Sequence, residues 1–232
     1  MTIQAGYYVC DINLSLFYRF PANVMFWVCL GFAAFHISGC AASSQAGYSS
    51  DAYEGTQLDG LAPDIQLTDQ NHESITLSEF RGDVVVLTFL DSQCQDVCPL
   101  TAAQLRKTHE GLGDVADSVI FLGVNVNEQA NTPEDVRFAS ENWHLSEMKT
   151  WHFLTGNAAQ LEPIWTSFHI EVSSSTEAAG ELVHSPGVYL IDQSGQLRWY
   201  ISTPFVEPGT PAPSLPLNEL LTKHVRELLN NK

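Results

Sequence analysis

A chain of 232 residues with 44% apolar residues is long enough for one domain with appendages and too apolar to be disordered throughout. Its formal net charge of −17 lies wholly beyond residue 40, because Asp11 and Arg19 cancel and no other charged residue precedes Cys40. Such an excess excludes nucleic acid and bare anionic lipid as partners, admits cations and basic surfaces, and on the plainest view only keeps the domain soluble.

The chain opens with a segment that reads as targeting rather than fold. From Asn23 to Gly39 the run NVMFWVCLGFAAFHISG carries no Asp, Glu, Lys or Arg. It is short for a spanning helix of about 20 residues and suits a signal-peptide apolar region flanked by Arg19. It ends Ile37-Ser38-Gly39-Cys40 before Ala41-Ala42-Ser43-Ser44, which resembles the lipobox of bacterial lipoproteins. That resemblance implies cleavage before Cys40 and lipidation of its thiol. A retained anchor, a start at Met25 and an internal helix are the alternatives. Residues 1–40 are thus expected to be a signal peptide or anchor, which places the rest on the extracytoplasmic face of a bacterial membrane.

Residues 41–60 are rich in Ser, Gly, Ala and acidic residues without apolar periodicity, as expected of a flexible tether. A folded domain is expected over 61–232. Residues 63–67 and 74–77 read as short strands around Thr68-Asp69-Gln70-Asn71. Val84 to Leu90 (VVVLTFL) is apolar at nearly every position, which predicts a central strand buried on both faces. A helix is expected from Pro99 to His109, with proline tolerated in the first turn. Val119 to Val126 is a second buried strand. Thr132-Pro133-Glu134 supplies an N-cap, a first-turn proline and a first-turn carboxylate for a helix reaching Asn142. A short strand over 150–154 and a helix from Asn157 to Phe168 follow. Residues 171–180 read as a loop. Gly187 to Asp192 and Leu197 to Ile201 form a hairpin around Gln193-Ser194-Gly195-Gln196. A Pro-rich stretch, 203–216, precedes an amphipathic helix over 217–229. This order predicts an α/β fold with a central mixed sheet, helices on both sides and an N-terminal strand extension.

Five cysteines are present, and Cys10, Cys29 and Cys40 belong to the leader. Only Cys94 and Cys98 remain for the domain, too few for a disulfide-stapled scaffold. They lie four residues apart in DSQCQDVCPL, at the expected mouth of a helix, and so project from one side of a helical turn. Helix-terminal N–H groups favour their ionised forms. Such a pair can hold a soft ion such as Cu(I), close a small disulfide, or do both at different times. His184, in LVHSPGVYLID, is a distant third donor whose imidazole would also admit Cu(II). Asp96 between the cysteines reads equally as an acceptor behind the sulfurs and as a helix-start residue. His72, His109 and His224 read as solvated. His144, His152 and His169 read as packed or surface residues, and Trp143, Trp151 and Trp165 as core.

Strand, loop and helix with cysteines in the loop is a thioredoxin-like arrangement, although three residues rather than two separate the cysteines. The segments LTDQNHESITLSEFRGDVVVLTFL, QDVCPLTAAQLR, TPEDVRFASENW, WHFLTG and HSPGVYLID together resemble the Sco/SenC family of copper chaperones, from about Leu61 to Ile201. The specific part is Cys-x-Asp-x-Cys-Pro, met by Cys94, Asp96, Cys98 and Pro99. The resemblance implies a membrane-tethered thioredoxin-like domain that binds copper through Cys94, Cys98 and His184. It also implies delivery to the copper-site subunit of cytochrome c oxidase, or reduction of that centre's cysteines. The chain departs from the family at Asp91-Ser92-Gln93, where an aromatic-Thr-His run is common. It departs again at Gln95, at Asn127 in place of Asp, and at Val183 in place of an acidic residue. An extracytoplasmic thiol–disulfide oxidoreductase is the alternative function. A peroxidase would want a positive residue beside the thiolate, and DSQCQDVC offers none.

Overall fold

The computed structural model describes residues 53–174, 182–202 and 215–231. The two apolar runs become the centre of the sheet. Val84–Leu90 (β4) and Val119–Asn125 (β5) are buried at all seven positions each and pair in parallel, from Val84 against Val119 to Leu90 against Asn125. A strand can be apolar throughout only if both faces are covered. Trp151–Leu154 (β6) adds in parallel to β5. Val188–Ile191 (β9) runs antiparallel to β4, and Leu197–Ile201 (β10) runs antiparallel to β9. Thr56–Gln57 (β1) closes the edge, giving the order β1-β10-β9-β4-β5-β6.

Alternation along β4 divides the core. Val84, Val86 and Leu90 face a cluster made with Val97–Leu112 (α1), Pro133–Asn142 (α2) and Leu217–Asn230 (α4). Val85, Leu87 and Phe89 face the opposite cluster, which contains Leu161, Ile164 and Trp165 of Ala158–Ser167 (α3). The separate hairpin of Gln66–Thr68 (β2) and Ser74–Thr76 (β3) joins that second layer through Leu67 and Ile75. Each such buried side chain contributes about 1.5–3 kcal/mol relative to exposure, so both faces of β4 anchor the layers. The central mixed sheet, its flanking helices and the N-terminal hairpin are those expected. Trp143, Trp151 and Trp165 are core, at 8%, 2% and 6% exposure.

Several boundaries differ. α1 begins at Val97 rather than Pro99 because Asp96 caps it, its Oδ1 accepting from the Val97 N–H at 2.6 Å. Pro99 still falls in the first turn, where a missing N–H costs nothing. The expected tether meets the fold before its boundary at 60. β1 pairs with β10, and Glu54 holds Lys223 of α4 at 2.8 Å. The loop expected over 171–180 opens as a strand, Val172–Ser174 (β7), paired with Leu182–His184 (β8). His224 is not solvated. It is 1% exposed, stacks on Trp199 at 4.0 Å, and sets Nε2 2.9 Å from the Glu54 carbonyl. The leader with Cys40, residues 41–52 and most of the Pro-rich stretch lie outside the described residues. Among the described residues no helix is long and apolar enough to cross a membrane.

Candidate functional site

The site grows from the carboxyl ends of β4 and β5, where backbones leave the sheet and a crevice opens. Asp91 to Asp96 connects β4 to α1 and is pinned by a buried polar network. The Asp91 carbonyl accepts from the Cys94 N–H at 3.1 Å, and Asp91 Oδ1 accepts from the Gln93 N–H at 2.9 Å. Ser92 donates through Oγ to the Ala130 carbonyl at 2.8 Å, and its N–H meets Asn125 Oδ1 at 3.2 Å. Asn127, just beyond β5, donates from Nδ2 to Asp91 Oδ1 at 2.7 Å. Buried polar groups satisfied in this way rigidify the loop that carries the first cysteine.

The two cysteines are free thiols with different surroundings. Cys98 is 1% exposed and packs into the α1 side of the core, whereas Cys94 is half-buried. The Cys98 N–H points at Cys94 Sγ at 3.2 Å. Hydrogen bonding from the Cys98 thiol and then from its backbone N–H holds Cys94 below the ordinary thiol range, against the opposing effect of burial. The same contact pushes Cys98 strongly upward, since its proton is retained by the Cys94 sulfur, and burial adds to this. The pair is therefore polarised: Cys94 is the more readily ionised sulfur and Cys98 the one that holds its proton more tightly. Asp96 does both things the sequence allowed. It caps α1, and its Oδ1 accepts from Cys94 Sγ at 3.1 Å. Its own pKa is lowered, first by the Val97 N–H and then by Cys94.

His184 ends β8, held by pairing with Val172. Just past it, the Ser185 N–H donates to the Glu171 carbonyl at 3.0 Å, and Ser185 Oγ accepts from the Glu171 N–H at 3.0 Å. The His184 Nδ1 lies 3.1 Å from the Ser185 carbonyl. A carbonyl only accepts, so Nδ1 carries the hydrogen and Nε2 keeps the free lone pair, the tautomer a metal ligand needs. Burial lowers the His184 pKa, which keeps the ring neutral, while the Ser185 carbonyl and the Asp91 charge act weakly the other way.

Cys94, Cys98 and His184 line one cleft of about 610 Å³, together with Asp91, Asp96 and Asn127. Among the described residues no three His, Cys, Asp or Glu side chains are drawn tightly enough to hold an ion. The three thus share a cleft without a closed ligand cage. Two soft sulfurs and one borderline nitrogen form a donor set suited to copper, and an open cleft suits an ion that enters and leaves. Cys94 also borders a second groove of about 720 Å³ formed with Trp143 and with Phe138, which is 65% exposed. The other histidines stand apart. His72 and His144 pair with Glu134 and Glu147 on the surface, and His152 is bound to the buried Asp69 at 2.9 Å. Sequence reasoning passed over Asp91 and Asn127 as site residues, registering them only as departures. An acid directly after a fully buried strand was the available signal.

The sheet order, the cysteine-bearing turn into α1 and the cleft beside it define a thioredoxin-like protein with a CxxxC pair. The chain belongs to the SCO1/SenC family, whose model matches residues 54–208. A protein of Stutzerimonas stutzeri named for copper binding is 25% identical over 151 residues, covering 63% of this chain and 72% of the relative. The matches span 72%, 64% and 65% of the length of three curated relatives. Among solved structures, Bradyrhizobium japonicum ScoI with copper bound superposes with a TM-score of 0.57 at 22% identity, covering 73% of this chain and 100% of the other. BsSco, a Sco-family cytochrome c oxidase assembly protein with a disulfide switch, superposes with a TM-score of 0.59 at 18% identity, covering 77% and 98%.

Proposed function

We propose that the protein is a copper metallochaperone that binds copper through Cys94, Cys98 and His184 and hands it to the copper-site subunit of cytochrome c oxidase. The observation that carries this reading is one cleft lined by two sulfurs of opposite protonation tendency and by an imidazole with its Nε2 lone pair free. Copper is cargo here, so an open site is an advantage. The ion is exchanged as acceptor thiolates replace Cys94 first, because Cys94 is the accessible sulfur and borders the groove beside Phe138. Family membership, the copper-binding relative and the oxidase-assembly relative support the cargo and the acceptor. We place the domain on the extracytoplasmic face of a bacterial membrane, tethered through lipidated Cys40 or a retained anchor.

A second reading is favoured by the polarised pair itself: reduction of a partner disulfide. The Cys94 thiolate attacks one partner sulfur and expels the other as a thiolate. Cys98 then loses its proton and attacks Cys94, which releases the second partner thiol and leaves a Cys94–Cys98 disulfide. Two electrons pass to the partner. A single comparison separates the readings. With both cysteines reduced, the wild-type protein should bind one equivalent of copper, and His184→Ala should lose stable Cu(II) binding while disulfide exchange persists. Reduced wild-type protein that binds no copper ends the chaperone reading.

A further inference from the structure

Asp91 is a buried acid that directly follows the fully buried β4. It is 7% exposed and is fixed from several directions. Oδ1 accepts from both the Gln93 N–H at 2.9 Å and Asn127 Nδ2 at 2.7 Å, while the backbone carbonyl accepts from Cys94 at 3.1 Å. Oδ2 has no hydrogen-bond partner among the described residues. Asp91 lines the same cleft as Cys94, Cys98 and His184. Across that cleft its charge acts on both Cys98 and His184. A carboxylate is costly to bury unless something of opposite charge repays it. Asn127 and the Gln93 N–H are neutral, and among the described residues no Lys or Arg lines the cleft. The natural counter-charge is a cation arriving in the cleft itself.

We propose that Asp91 determines which oxidation state of copper the cleft prefers, its fixed carboxylate favouring Cu(II) over Cu(I). The inference deepens the chaperone reading and rests on it. Two thiolates and a neutral imidazole already cancel the charge of Cu(II) and overcompensate that of Cu(I). One more negative charge therefore attracts the divalent ion more strongly than the monovalent one. Because Asp91 is buried, water and salt screen this difference little. Asp91 need not become a ligand, since the effect acts through charge. The position of the carboxylate depends on Asn127, so the two departures from the family pattern act as one unit. Val183, which replaces the family's acidic residue before the histidine, is 53% exposed, and the negative charge near the imidazole is instead supplied across the cleft from the end of β4.

The test compares wild type with Asp91→Asn, in which size and hydrogen bonding to Asn127 are kept and the charge is removed. Cu(II) and Cu(I) are each titrated anaerobically into the full-length reduced protein against a competing chelator, and the midpoint potential of the bound copper is recorded. In the variant the Cu(II) affinity should fall about tenfold relative to that for Cu(I), and the potential should rise by the equivalent one-electron shift of about 59 mV. If Asp91→Asn does not fold, the smaller neutral Asp91→Ser is read in the same way. An unchanged ratio of the two affinities, or an equal loss of both, overturns the inference and leaves the chaperone reading standing. Wild-type protein that binds neither ion overturns both.

Discussion

Cys94 and Cys98 differ only in what touches them, and that difference decides their chemistry. Cys94 receives hydrogen bonds from Cys98 and stays partly open, whereas Cys98 keeps its proton and is sealed. Alkylation rate follows the thiolate fraction. A pKa lowered from the ordinary thiol value by the Cys98 hydrogen bonds means that Cys94 is more ionised at pH 7 than a free cysteine. Iodoacetamide should therefore modify Cys94 faster than a model cysteine peptide at pH 7, with the rate falling as pH drops through the lowered pKa. Cys98 should remain unmodified in the folded protein. Equal rates at the two cysteines, read by mass spectrometry of the digested protein, would refute the polarised pair. At this scale much was legible in advance: the spacing in QCQDVCPL already placed both sulfurs at a helix mouth, and Asp96 was already ambiguous between cap and acceptor. The contribution of Asp91 was not legible, because periodicity marks where a strand ends but not which way the next carboxylate turns.

The elements that carry the site differ in how they are specified. β4 and α1 declare themselves through apolar runs and capping residues. α2 does so through Thr132, whose hydroxyl and the Asp135 carboxylate form a capping box. The β7–β8 hairpin does not, because Val-Ser-Ser lacks alternation and its strand character comes only from pairing with Leu182–His184. The strand that carries His184 was therefore not expected. Likewise, His224 lies on an amphipathic helix whose polar appearance hides the cover that Trp199 and Glu54 provide from the far side of the sequence. After His184 the chain must turn sharply into β9, and Gly187 makes the turn at φ +152°. A Cβ there would overlap the Tyr200 ring, and Tyr200 also donates from its hydroxyl to the Pro186 carbonyl. Gly187→Ala should therefore cost about 1–3 kcal/mol through overpacking and strained backbone, and should weaken copper binding by shifting the strand that bears His184. A melting temperature and copper affinity equal to wild type would show that this turn does not position the histidine.

On the scale of the whole molecule, the sheet brings together side chains from segments far apart in the sequence. The cysteines follow β4 and the histidine precedes β9, which are adjacent antiparallel strands, so the exit of one and the entry of the other meet at the same end of the sheet. The order of elements and the doubly buried β4 and β5 could be read beforehand, because a strand apolar on both faces requires layers on both sides. The adjacency of β9 to β4 could not, since it places strands about a hundred residues apart side by side through pairing alone. The acidic surface gives the assembled domain a long-range preference for cations and basic partners without choosing among them. The central claim is that two sulfurs and one imidazole meet at one ion. X-ray absorption at the copper edge of the loaded, reduced wild-type protein tests it most directly. Two sulfur scatterers and one histidine nitrogen in the first shell are predicted, with the nitrogen lost in His184→Ala. A shell of sulfur alone, unchanged by that substitution, would contradict the account.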